Sequence, residues 1–121
     1  MTEPMSEEDG HALALVASEW FKAARRLMRL TQETSPDRIE RERAQLAYAS
    51  DRINGVLSQS GLRMVTYEGN AFSPQLPAEP VNPEDFDNEE GLVVLETLEP
   101  TILLRGRVIA RGRVVLARAS Q

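Results

Sequence analysis

The stretch Val56-Leu-Ser-Gln-Ser-Gly-Leu-Arg-Met-Val-Thr-Tyr67 decides the fold. Before Ser60 the apolar residues keep the three- and four-residue spacing of a helix; from Leu62 they alternate with period two. Gly61 stands at the change. A helix ends readily there, because glycine takes the left-handed conformation of a C′ position without a steric penalty. The chain therefore divides at residue 61 into a helical half and a β half.

Toward the N-terminus, Ser35-Pro36 reads as a helix start, with Ser35 as the cap and Pro36 at the first helical position, where its missing N–H costs nothing. This second helix runs to about Ser60 and has an apolar face of Ile39, Leu46, Ala49, Ile53, Val56 and Leu57. A first helix is predicted over 6–32, capped by Ser6, with Glu7, Glu8 and Asp9 in the turn where the helix dipole favours anions. Leu13, Val16, Trp20, Ala23, Leu27 and Leu30 form a stripe at coiled-coil spacing, and Phe21, Ala24 and Met28 widen it. The short connection predicts an antiparallel helical hairpin. Two helices cannot cover so much apolar surface by themselves. A homodimer is expected, with Leu13, Val16, Trp20, Leu27, Leu30, Ile39, Leu46 and Ile53 at the interface.

Toward the C-terminus, residues 62–67 predict a strand that Glu68-Gly-Asn70 closes. Residues 72–90 are acidic and carry Pro74, Pro77, Pro80 and Pro83 at intervals of three, which predicts a long extended loop. Leu92–Leu98 and Thr101–Leu104 read as strands around Pro100, and Arg105-Gly106 as the turn of a tight hairpin. Arg107–Arg118 is predicted as one last strand. Its even positions, Val108, Ala110, Gly112, Val114 and Leu116, face the core, and Arg107, Arg111 and Arg113 lie on the other face. The fold class is α+β: a dimerising helical hairpin over 1–61 and a small β domain over 62–121.

The chain has 121 residues and no cysteine, so disulfides and thiolate chemistry are excluded. No stretch approaches the ~20 apolar residues of a membrane span. The acidic start lacks the basic region of a signal peptide, and a cytoplasmic protein is expected. His11 is the single histidine and has no second ligand nearby; no catalytic or metal motif is present, so no enzyme, cofactor or metal is expected. The net charge of −5 argues against nucleic-acid and membrane partners. The charge is also partitioned: between Met64 and Pro100 every charged residue is acidic, and from Thr101 onward every one is arginine.

Several segments together resemble the C-terminal region of the GrpE family, the nucleotide exchange factors of DnaK-type chaperones. Val56-Leu-Ser-Gln-Ser-Gly-Leu62 resembles the end of the family's last helix, and Glu68-Gly-Asn-Ala-Phe-Ser-Pro74 its E-G-x-x-F-D-P segment. Gly91–Leu98 is similar to the strand that opens its closing block, Leu104-Arg-Gly-Arg-Val-Ile109 to L-N-D/G-R-V-I, and Val114-Val-Leu-Ala117 to the final V-x-V-A. Pro77-Ala78-Glu79 departs from the family's His-Glu-Ala, Ala110-Arg111-Gly112 departs from its R-P-A, and most of the long N-terminal stalk is missing.

The resemblance implies a β domain that binds the nucleotide-binding domain of a DnaK-type chaperone and promotes ADP release, with Arg107 and Leu116 at family contact positions. The basic terminal segment adds Arg105, Arg111 and Arg113 to the expected partner-binding face. In a second reading the chain keeps the fold but serves as an adaptor without exchange activity. The same arginines could also pair internally with the acidic residues at 84–90. A nucleic-acid-binding use of these arginines is disfavoured, since no aromatic stacking platform accompanies them.

Overall fold

The computed structural model describes residues 6–30, 36–88 and 90–119. Two long helices, α1 (Glu7–Leu30) and α2 (Pro36–Gln59), precede six short strands. These are β1 (Leu62–Val65), β2 (Ala78–Pro80), β3 (Leu92–Glu99), β4 (Thr101–Leu104), β5 (Arg107–Ala110) and β6 (Gly112–Arg118). Ser6 caps α1 as its side chain predicts: its Oγ accepts the Asp9 N–H at 3.1 Å. Gly61 ends the helical half with φ 85°. The Ser35 cap and any extension of the first helix past Leu30 lie outside the described residues.

The strands form two three-stranded sheets. The first has the order β1-β4-β5 and is antiparallel throughout. The second has the order β2-β6-β3, with β2 parallel and β3 antiparallel to β6.

Two expectations are corrected. The predicted last strand, Arg107–Arg118, is two strands in different sheets, divided at Arg111. Gly112 makes the crossing possible. It is buried, and its N–H reaches both Pro77 O at 3.1 Å and Thr101 Oγ1 at 3.2 Å, an approach that a side chain would block. A register shift beside Ile109 also changes the phase of β5, because Ile102 pairs with Ala110 but Leu103 with Val108. Val108, expected in the core, is therefore exposed, and Ile109 packs inward instead. The second correction is in the loop at 72–90, which contains β2 and a 3-10 turn at Pro83–Asp85. Pro80 is tolerated at the end of β2 because β2 is an edge strand. Asn82 then continues the pairing with its side chain: Oδ1 accepts Leu116 N–H at 2.9 Å and Nδ2 donates to Leu116 O at 3.1 Å.

There are two apolar cores. Ala14 and Ala17 of α1, Leu57 of α2, Leu62 of β1, and Ile102 and Leu104 of β4 make the first. The helices and the first sheet thus share a core across Gly61. Tyr67, Ala78, Leu92, Val94, Val114 and Leu116 make the second, with Phe72 and Phe86 half-buried against it. A polar seam joins the sheets. Tyr67 Oη donates to Thr101 Oγ1 at 2.8 Å, and Thr101 Oγ1 donates to Pro77 O at 2.6 Å and accepts Gly112 N–H. This uses both functions of a hydroxyl that is fully buried, so its burial carries no unsatisfied polar group.

Candidate partner-binding surfaces

The tip of the β4–β5 hairpin is Arg105-Gly106, with φ 49° and 83°. Positive φ at both central residues matches the twist of the strands it joins and gives a tight two-residue turn. Arg107 follows, with a side chain 75% exposed, and forms an ion pair with Glu7 in the first turn of α1. Glu7, Leu104, Arg107 and Ile109 line a shallow hollow beside the tip. Arg111 is at the other end of β5, about 13 Å away at the usual rise per strand residue. Its Nε donates to Glu79 Oε1 at 3.0 Å. Arg113 is exposed on β6, in register with Glu79 on one neighbouring strand and Glu99 on the other.

The predicted arginine face is therefore two patches. Arg105 and Arg107 mark the hairpin tip; Arg111 and Arg113 stand at the sheet crossing beside glutamates. Leu116, the fifth predicted contact, is 3% exposed in the second core and offers a partner no surface. The described part of 84–90 reaches Arg118 rather than Arg107 or Arg111. Arg118 donates to Glu90 O at 2.6 Å and stands 5.6 Å from the Phe86 ring centre.

The predicted interface residues of the helices fall into two groups. Leu13, Val16 and Trp20 of α1 meet Ile53, Val56 and Leu57 of α2 around an apolar groove of about 360 Å³. Val16 and Val56 remain 63% and 59% exposed at its rim. Leu27 and Leu30 are exposed farther along α1, while Ile39 and Leu46 on α2 are partly covered. Apolar side chains this open, grouped along two adjoining helices, are more than the scatter normal on a monomer surface.

Residue spacing did not reveal the clamp that holds α1 to β3. Lys22 Nζ lies 3.0 Å from both Glu19 and Glu99, Arg25 pairs with Glu96, and Arg29 reaches Glu96 at 3.7 Å. The hydrogen bonds that Lys22 donates to Glu19 and then to Glu99 raise its pKa. Burial, followed by the like charge of Arg29, lowers that of Arg25. The signal was present in the sequence: three cations on one helical face and two glutamates three residues apart on a strand.

Among the described residues, no group of three or more His, Asp or Glu side chains could hold a metal ion, and no helix is long and apolar enough to cross a membrane. Comparison of the chain with family models, curated proteins and solved structures gives no match.

Proposed function

We propose that this chain is a GrpE-like co-chaperone. Its β4–β5 hairpin would dock on the nucleotide-binding domain of a DnaK-type chaperone and promote ADP release. The observation that carries the reading is the hairpin itself. The segment that resembles the family's L-N-D/G-R-V-I, Leu104–Ile109, forms an exposed two-residue turn with Arg107 at its edge. The activity needs no catalytic residue. A partner that binds the open nucleotide cleft better than the closed one shifts the population toward the open state.

Arg107→Ala tests this. Glu7 and Arg107 are both largely exposed, so their pair contributes at most about 1 kcal/mol to folding. A contact near an interface centre is worth about 1–3 kcal/mol of affinity. The expected result is a five- to hundredfold weaker stimulation of ADP release from a DnaK-type chaperone of the same organism, with the melting temperature nearly unchanged. Unchanged stimulation would remove the hairpin from the contact.

A non-exchanging adaptor is the second reading. It is favoured by the engagement of Arg111 with Glu79 and the burial of Leu116, which leave less of the expected face open. Binding to the chaperone with no acceleration of ADP release would select it.

A further inference from the structure

The side of α1 that faces the first sheet is a stripe of small residues. Gly10, Ala14 and Ala17 are its buried positions, at the spacing of one helical face. They let the helix lie flush on the sheet: a Cβ on Gly10 would stand 2.9 Å from Leu104 Cδ2 and 3.7 Å from Ile109 Cδ1. One turn before Gly10 the stripe continues at Glu7, and there it carries a carboxylate. That position overhangs the β4–β5 hairpin, where Glu7 forms its ion pair with Arg107. Glu7 and Arg107 also share the hollow beside the tip, about 270 Å³ in volume, with Leu104 and Ile109.

The helix dipole favours an acidic residue in the first turn, and Glu8 and Asp9 satisfy the same preference. Glu7 differs from them in lying on the face that the sheet covers. Its pairing with Arg107 is weak by design of the site: the two side chains are 52% and 75% exposed. An exposed pair opens by side-chain rotation on the ps–ns scale, without disturbing the packing of Gly10 on Leu104.

We propose that Glu7 is an internal competitor for the hairpin arginine: it occupies Arg107 in the free chain, and an acidic group of the partner displaces it. The inference rests on the hairpin reading above and adds the chemistry of the partner's contact and a built-in brake on it. The apparent dissociation constant is the intrinsic one divided by the fraction of chains in which Arg107 is released. An exposed pair of this kind holds that fraction no lower than about one fifth, so the brake is worth at most about fivefold in affinity. A Glu7 that instead held Arg107 ready for the partner would have the opposite sign, since its removal would weaken binding.

The test is calorimetric titration of the full chain with a nucleotide-free DnaK-type chaperone of the same organism. Glu7 and Glu8 are exposed, so their substitutions leave the fold intact. Glu7→Gln should bind about two- to fivefold tighter than wild type. Glu8→Gln removes the same charge from the same turn, off the stripe, and should match wild type. The Glu7→Gln/Arg107→Ala double variant should bind like Arg107→Ala, because no arginine is left to release. The loss caused by Arg107→Ala should shrink at about 1 M salt, where charges are screened beyond about 3 Å. A loss unchanged by salt would mean that the displacing group is not acidic and would overturn the proposal. Unchanged or weaker binding by Glu7→Gln, beside a weakened Arg107→Ala, overturns it too and leaves the hairpin reading standing. Equal tightening by Glu7→Gln and Glu8→Gln, or tightening that survives in the Arg107→Ala background, would trace the effect to general repulsion by the acidic turn, and the proposal would fall. Wild-type binding by Arg107→Ala would remove the hairpin reading itself, and this inference with it.

Discussion

Gly112→Ala and Gly55→Ala are the same chemical change and should move stability in opposite directions. A Cβ on Gly112 would sit 2.8 Å from Glu99 O, 2.9 Å from Thr101 Oγ1 and 3.0 Å from Thr101 N. Two of those atoms are backbone and flank Pro100, which is itself fully buried, so they have little room to retreat. Overpacking of this kind costs about 1–3 kcal/mol. Pushing β6 away also strains the Gly112 N–H bonds to Pro77 and Thr101, worth about 1 kcal/mol more. The total of about 2–4 kcal/mol is a large share of a typical folding free energy. At this chain length it lowers the melting temperature by roughly 8–15 °C. A Cβ on Gly55, inside α2, meets nothing within 4 Å. There alanine gains about 0.5–1 kcal/mol through helix propensity and raises the melting temperature by roughly 2–5 °C. Thermal unfolding followed by circular dichroism measures both. Equal shifts in the two variants, or a Gly112→Ala transition within about 1 °C of wild type, would refute the close crossing of β6 over the β3–β4 link.

Three further outcomes are expected. Asn82→Ala removes both side-chain bonds to the Leu116 backbone, and should cost about 1–3 kcal/mol in denaturant titration while exchange at the Leu116 amide accelerates. Val16→Glu changes a residue 63% exposed in the single chain, so the fold should persist while sedimentation shifts from dimer to monomer; Trp20→Asp should do the same at a larger folding cost, and a wild type that sediments as a monomer at all concentrations would contradict both. Lys22 has a raised pKa when folded, so its contribution is complete below the ordinary lysine value of about 10.4 and is lost only as pH rises through the higher folded value. The stability gap between wild type and Lys22→Gln should hold from neutral pH to about 10 and close above it; a gap that closed near neutral pH would assign it to another group.

Local patterns carried much of the architecture. The Ser6 cap, the start of α2 at Pro36, the glycine end of the helical half and the Arg105-Gly106 turn all depend on one or two residues and their immediate neighbours. What the sequence did not disclose depends on long-range contact. Nothing in Arg107–Arg118 marks Arg111 as the point where one sheet ends, because the reason is the approach of Glu99 and Thr101 to Gly112. Three residues of β2 among prolines are too few for a period, and they pair with β6 more than thirty positions away. The arginine face was legible in composition but not in space. Its members separate because β5 and β6 belong to different sheets, and Leu116 turns inward with the alternation of β6.

The shared core changes what the helical half can be. Leu62, Ile102 and Leu104 bury themselves against Ala14, Ala17 and Leu57, so the first sheet is completed by the helices. Leu104 belongs to this core and directly precedes the hairpin tip, where a Cβ on Gly10 of α1 would approach it to 2.9 Å. Leu62 belongs to it too, at the β1 side of the first sheet. The hairpin tip is therefore the outer rim of a layer whose inner face is α1. A change in the pose of α1, whether from pairing of the helices with a second chain or from loss of the Lys22–Glu99 and Arg25–Glu96 clamp, would reach the hairpin through packed side chains. The apolar helix face would then be coupled to the proposed hairpin contact without any hinge, and the basic face of α1 already has a role beyond solvation, since Lys22 and Arg25 tie the helix to β3.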